Sequence, residues 1–480
     1  MATGNKDDGR IHQTWITSDR GVPTRFVRPF VRFTEISASS GIVLLVAAVV
    51  ALLWANGPFG DTYESFWDTH FDLTLGSWHF SESLKHVVND GLMAIFFFVV
   101  GLEIKRELVV GDLRDRKQAA LPAIAALGGM IVPALIFVFF VAGTGGEATR
   151  GWGIPMATDI AFSIGVVSLL GSRVSSGAKL FLLALAIADD IGAIAVIAIF
   201  YTSDLSLGFL GAGIGGLVLV YVAQRVGIRA TGFYWVVGIA VWFFVFESGV
   251  HATLAGVALG LLTPVHAWYS DAEYFQRARW VLDRYDMEAA TPQKRERVDS
   301  SALTLAAVAR ESVSPLDRLE GSIHPWSAFV VVPIFALANA GVRVVDIDLF
   351  EAATSPVSLG VGLGLVVGKI FGITLATWIA VRTGVGKLPK RAGWLEMVGL
   401  AALAGIGFTV SLFITELAFS TPTLIDQAKI GIFIGSGVAG AIGYSILRNV
   451  KTPQEAIEEG RQLLGITAAD DEQADAGPTS

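Results

Sequence analysis

Apolar runs of about twenty residues, the length a helix needs to cross the hydrocarbon core, recur along most of this chain and leave it little choice of architecture. Inside a bilayer the backbone finds no water, so each run must satisfy its own amides and carbonyls as a helix. Only 16% of the 480 residues are charged, where a soluble chain carries about a quarter. The sequence therefore predicts an all-α polytopic membrane protein. Its twelve expected spans are 36–56, 84–107, 118–141, 152–170, 178–201, 206–223, 231–247, 249–264, 325–342, 357–381, 394–419 and 426–447.

The charge pattern orients these spans. With the first residues inside, only Lys85, Arg150, Arg343 and Lys429 of the 35 Lys and Arg fall in outer loops, and Lys369 falls within a span. Inner loops carry the Lys and Arg excess in correctly oriented membrane proteins, so an even span count with both termini cytoplasmic is expected. Residues 1–35 form a polar tail without the apolar core of a cleaved leader, and the first span is expected to act as the insertion signal. Residues 36–448 form the membrane domain, and 449–480 an acidic tail that becomes poor in apolar residues after Ile466.

Two extramembrane stretches have local patterns. Phe71-Asp72-Leu73-Thr74-Leu75 and Trp78-His79-Phe80 flank Gly76-Ser77, a β-hairpin signal in which Gly76 takes the positive φ of a II′ turn. Such a hairpin is marginal alone; a surface loop and a dimer contact both fit it. The long cytoplasmic loop 265–324 holds amphipathic helices near 271–285 and 302–313, and Lys294-Arg295-Glu296-Arg297 reads as a solvated face. No nucleotide, zinc or nucleic-acid signature occurs in either the loop or the tail, and Cys is absent, which excludes disulfides and thiolate chemistry.

Charge inside the spans is where function is sought. Asp189-Asp190 interrupt a stretch otherwise uncharged from Leu180 to Tyr201. A carboxylate at that depth costs about 2.5–3.5 kcal/mol on insertion scales, a penalty kept when the group is compensated and used. A second span places Pro155, Thr158 and Asp159 together, the residue types that stop a helix and cap its restart. A third places Lys369 near its centre, and Ala404-Gly405-Ile406-Gly407 interrupts a fourth. Paired interrupted helices point to a transport site. Their meeting would bring like dipole ends together, with Asp159 offsetting the positive ends and Lys369 the negative ends. Asp189 and Asp190 stand about 100° apart on one helix, so one can face a cavity while the other reaches Lys369. Carboxylates, a threonine hydroxyl and freed carbonyls suit a hard cation such as Na⁺ or Li⁺. Cation and proton then compete for the same oxygens. An inert set of salt bridges is the structural alternative. An intramembrane diaspartyl enzyme lacks its Tyr-Asp and Gly-x-Gly-Asp pair, and a cation channel lacks a repeated filter loop.

Seven motifs, in order, resemble the NhaA family of Na⁺/H⁺ antiporters: Ala157-Thr158-Asp159-Ile160-Ala161-Phe162; Leu170-Gly171-Ser172-Arg173; Ala186-Ile187-Ala188-Asp189-Asp190-Ile191-Gly192-Ala193; Gly249-Val250-His251-Ala252-Thr253-Leu254-Ala255-Gly256; Phe335-Ala336-Leu337-Ala338-Asn339-Ala340-Gly341; Gly368-Lys369; and Gly405-Ile406-Gly407-Phe408-Thr409. The resemblance runs from about residue 36 to 448. It implies twelve helices with inverted repeats, two of them discontinuous and crossed, and an external hairpin at 71–80 that joins a homodimer. It implies electrogenic, pH-regulated exchange of cytoplasmic Na⁺ or Li⁺ for external H⁺ across a bacterial inner membrane, serving sodium and pH homeostasis. No enzyme chemistry, cofactor or nucleic-acid partner is implied, only the bilayer and the transported ions. Asp189 and Asp190 match the family's ion- and proton-binding pair, Lys369 their charge partner, and Thr158 and Asp159 the broken-helix site. Glu103, Arg106, Glu107, His251, Glu320 and His324 match a pH-gating cluster. Local ion pairing accounts for Glu103, Arg106 and Glu107 equally well, and packing for His251. Gly321 stands where the best-known members carry another histidine, so the pH response is expected to differ.

Overall fold

The computed structural model describes residues 39–75, 78–202, 205–228, 231–283, 292–389 and 392–450. The expected tail 1–35, the turn residues Gly76-Ser77 and the acidic tail beyond residue 450 lie outside them.

The described chain is almost wholly helical. Helix α1 is Ser39–Asn56 and the short α2 is Gly60–Trp67. Strands β1 (His70–Leu75) and β2 (Trp78–Ser83) pair antiparallel, with Leu75 opposite Trp78 and His70 opposite Ser83. Then follow α3 (Leu84–Val109), α4 (Arg116–Val141), a 3-10 segment Gly146–Met156, α5 (Ile160–Leu170) and α6 (Ser176–Phe200). Beyond these lie α7 (Leu207–Val226), α8 (Thr231–Glu247), α9 (Thr253–Leu262), α10 (Asp271–Asp283), α11 (Pro292–Glu311) and α12 (Pro315–Asn339). The last elements are α13 (Leu349–Thr354), α14 (Pro356–Arg382), α15 (Trp394–Leu403), α16 (Phe408–Ala418) and α17 (Pro422–Arg448).

Among the described residues, nine helices are long and apolar enough to cross a membrane, or ten if α15 and α16, bent by 46°, are one span. Helices α8 and α9 are apolar but shorter.

One expected boundary moves, and two lysines counted with the outer loops change place. Helix α12 starts at Pro315 rather than 325, because Ser314 accepts a hydrogen bond from the Asp317 amide and Pro315 fits the first turn. Glu320 and His324 therefore ride on a span helix instead of a loop. Lys85 and Lys429 are also inside helices, not in outer loops, and Lys429 is only 4% exposed. Both meet the half-buried carboxylate of Glu416 there, which hydropathy alone does not reveal.

The helices pack as two layers. One holds α1, α3, α7, α8, α9 and α12; the other holds the 3-10 segment, α4, α5, α6 and α14 to α17. Each layer is joined internally by close backbone approach. In α3 and α9, a Cβ on Gly101 would sit 2.7 Å from the Val257 carbonyl oxygen. In α4 and α14, Gly128 and Gly372 face each other so closely that a Cβ on either would strike the other's carbonyl. Between layers the contacts are thinner, chiefly α1 on α5, α3 on α6 and α12 on α16. At one edge the Tyr63 hydroxyl lies 2.9 Å from the carbonyls of both Leu337 and Ala338 and accepts from the Gly341 amide. Burial pushes that phenol up, so it stays neutral and anchors α2 to the end of α12.

Candidate ion site at two crossed chain breaks

The first break follows Pro155. The 3-10 segment ends at Met156, residues 157–159 are extended, and α5 begins at Ile160. Asp159 is the N-cap of α5 and accepts from the Phe162 amide at 3.1 Å. The second break, residues 404–407, separates α15 from α16. Gly405 belongs there because any Cβ would meet the Leu365 carbonyl oxygen.

The breaks cross and satisfy each other. Asp159 donates its amide to the Ile406 carbonyl at 2.6 Å, while its carboxylate accepts from the Thr409 hydroxyl at 2.5 Å and the Thr409 amide at 3.1 Å. One carboxylate thus caps the N-termini of both α5 and α16, where two positive dipole ends converge. Hydroxyls cover the freed carbonyls: Thr158 donates to Ala404, Ser163 to Leu403 and Ser411 to Ile154, each at 2.8 Å. Ser436 on α17 accepts from the Gly407 amide at 3.2 Å. The negative helix ends are therefore met by hydroxyls, with Lys369 one step behind them.

Lys369 is fully buried in α14. Its Nζ donates to Asp189 Oδ2 at 2.7 Å and to Thr158 Oγ1 at 3.0 Å. A hydrogen-bonded line thus runs from Asp189 through Lys369 and Thr158 to the end of α15. Asp189 is 2% exposed, yet its Oδ1 has no partner among the described residues. Asp190, one residue on, is 7% exposed, and among the described residues no hydrogen bond reaches its carboxylate. The charges facing it are Asp189, Glu103, Asp159 and Lys369. A buried carboxylate oxygen without a donor is costly, and Asp189 Oδ1 is one. Among the described residues no three His, Asp or Glu side chains converge as a resident metal centre.

The other expected residues separate into two places. Arg106 on α3 binds Glu320 Oε1 at 2.6 Å and Asp317 Oδ1 at 2.9 Å on α12, and His324 Nε2 stands 3.9 Å from Glu103 Oε1. Glu107 follows one turn beyond Glu103 on α3. His251 is elsewhere: its Nε2 lies 2.8 Å from the carbonyl oxygen of Tyr201, at the far end of α6 from the Ile187 turn that packs on Val100 and Ile104. Thr409, Ser163, Ser411 and Ser436 are site residues that sequence reasoning did not single out. Thr409, directly after Gly-Ile-Gly-Phe, carried a usable signal as a hydroxyl at a helix restart. Ser436, inside an unbroken glycine-rich helix, carried none.

A helical membrane domain whose buried acids and lysine surround two crossed breaks has the form of a secondary transporter. Residues 31–447 match the family described as Na⁺/H⁺ antiporter 1, and the chain belongs to that family. It is 45% identical over 427 residues to the Na⁺/H⁺ antiporter NhaA of Oleidesulfovibrio alaskensis, covering 88% of this chain and 94% of that protein. The NhaA of Koribacter versatilis is 44% identical over 422 residues, 88% of this chain and 91% of that one. NhaA 2 of Myxococcus xanthus is 45% identical over 415 residues, covering 86% and 88% respectively. The solved sodium proton antiporter MjNhaP1 of Methanocaldococcus jannaschii is a looser likeness (TM-score 0.43, 14% identity, 88% of this chain and 99% of that one).

Proposed function

We propose that this chain is a secondary Na⁺(Li⁺)/H⁺ antiporter in which one cation and protons compete for Asp189 and Asp190. The observation that carries this reading is a buried carboxylate oxygen without a donor, Asp189 Oδ1, next to Asp190, whose carboxylate no hydrogen bond reaches among the described residues. Cation binding displaces protons from these acids, and proton binding on the other side releases the cation. When no cation is bound, Asp190 holds one proton and the Asp189–Lys369 pair holds another, so two protons released against one monovalent ion make the exchange electrogenic. Lys369 supplies the Asp189 counter-charge while the site is empty, and Thr158 and Asp159 hold the breaks open around it.

The finer architecture follows the same reading. Helices α8 and α9 complete the ten apolar spans to twelve, arranged as inverted repeats, with both termini on the cytoplasmic side of a bacterial inner membrane. Strands β1 and β2 then lie outside and join a homodimer. The Glu103, Arg106, Glu107, Glu320 and His324 group adjusts the exchange to pH from the cytoplasmic end, and His251 acts from the other end of α6.

Reconstituted vesicles test the proposal. A Na⁺ gradient is expected to drive proton movement, and Asp190→Asn to abolish it while the protein still inserts. Near-normal exchange in that variant removes Asp190 from the site. Na⁺ passage without obligatory proton movement makes the protein a channel, and absence of both movements removes transport altogether.

A further inference from the structure

Lys85, Glu416 and Lys429 form a second charge cluster, buried at Lys429 and half-buried at Glu416 and Lys85, that the exchange reading does not use. Glu416 Oε2 lies 2.8 Å from Lys85 Nζ, and Oε1 lies 2.9 Å from Lys429 Nζ. Side-chain exposures are 11% for Glu416, 28% for Lys85 and 4% for Lys429. Asp426 also interacts electrostatically with both lysines, and Tyr63 with Glu416.

The three residues come from both layers. Lys85 is in the first turn of α3, which is joined to α9 through glycine contacts. Glu416 is in the last turn of α16, whose first turn supplies Thr409 to Asp159. Lys429 is on α17, packed on α16 within the site-bearing layer. One short helix therefore connects the ion site to the triad. Where α3 and α16 face each other, Phe97 also packs on Phe413, with ring centroids 5.2 Å apart. Phe413 lies three residues before Glu416, so both use one face of α16.

Two features distinguish this cluster from ordinary reinforcement. Buried ion pairs add little net stability compared with apolar residues of similar volume, and their clearest use is to fix one arrangement over another. Ring contacts tolerate sliding, whereas a 2.8 Å ion pair is either made or broken. Glu416 also has a partner in each layer. When Lys85 leaves, Lys429 stays, so opening breaks one pair without stranding a bare buried carboxylate.

We propose that Lys85–Glu416–Lys429 is an interlayer latch: Glu416 bound to Lys85 closes the route from the ion site to the membrane face where α3 begins, and Glu416 held by Lys429 alone opens it. The latch rests on the exchange reading given above. It acts through the position of α16, not by touching the cation.

The absence of native cysteine gives a direct test. In Lys85→Cys/Glu416→Cys, a short bis(methanethiosulfonate) reagent bridges the two positions, and a thiol reductant removes the bridge. The unbridged protein in vesicles reports whether exchange itself exists, so failure of the latch and failure of the antiport reading are distinguishable. Bridging is expected to lower Na⁺-driven proton movement at least ten-fold, with recovery on reduction. Unchanged exchange in protein shown by mass to be fully bridged overturns the latch. If the double variant does not fold, Lys85→Met decides, because it leaves Glu416 paired with Lys429. It is expected to raise turnover several-fold at unchanged half-saturating Na⁺; turnover equal to or below that of the unaltered chain overturns the proposal.

Discussion

Asp159 and Thr409 are joined across two separate chain breaks: the Thr409 hydroxyl and amide both donate to one oxygen of the Asp159 carboxylate, at 2.5 and 3.1 Å. Asp159 also accepts from Phe162, so a single side chain caps the starts of two helices. A helix cap contributes about 1 kcal/mol and a charged hydrogen bond about 1.5–3 kcal/mol. Thr409→Val is expected to lower stability by about 1–2 kcal/mol, and Thr409→Ser by much less. Asp159→Ala should lower it further, since two positive helix ends lose their acceptor. Thermal melts in detergent measure the series. Equal midpoints for Asp159→Ala and the unaltered chain would remove the capping role.

Asp189 and Lys369 make a sharper case because both are buried. Removing one partner of a buried pair leaves the other charge uncompensated, a loss of about 3–5 kcal/mol. Lys369→Ala is accordingly expected to melt at lower temperature and exchange poorly, and Asp189→Asn to weaken exchange severely. Combining Asp189→Asn with Lys369→Met removes both charges, so the stability losses should be strongly non-additive. Strict additivity in that double-mutant cycle would show that the two do not act as a pair.

Sequence reading located the breaks and missed much of what closes them, for a physical reason. Pro155 and the Gly405–Gly407 run announce helix interruption through local chemistry: one lacks a backbone donor and the others lower helix propensity. Asp189-Asp190 and Lys369 stand out because charge in an apolar run is costly wherever it occurs. The hydroxyls of Ser163, Ser411 and Ser436 are different. Serine is unremarkable in a membrane helix, and only the crossing shows which carbonyl or amide each one meets. Lys85 and Lys429 lay near predicted span ends, where lysines ordinarily reach water. Their partner Glu416 is remote from Lys85 in sequence and meets it only when α16 packs near the start of α3. Long-range pairing of this kind leaves no periodic trace.

The hairpin supplies an independent prediction. Strands β1 and β2 pair through residues 70–75 and 78–83, and Phe71 is 52% exposed. A two-stranded sheet is marginal without further packing, and a paired copy would provide it. Deleting residues 71–80 is expected to shift native mass from dimer toward monomer while vesicle exchange falls less. Unchanged native mass and cross-linking would exclude this segment from the interface.

Arg106 separates regulation from stability most clearly. It bridges Glu320 and Asp317 with a side chain 40% exposed, against 13% and 51% for its partners. The Arg106 end of both pairs is open to water, where such pairs contribute about 0–1 kcal/mol each, so Arg106→Ala should barely move the melting midpoint. Yet α3 carries Glu103 one turn away, and Glu103 is among the charges facing Asp190. Altering the Arg106 cluster therefore changes the field at Asp190 without removing a group of the proposed ion site. The expected result is a displaced pH midpoint of Na⁺-driven proton movement with the maximal rate largely kept. Measuring exchange across the pH range in vesicles, beside a melt of the same preparation, decides it. An unmoved pH profile would leave Arg106 a solvated helix-end pair.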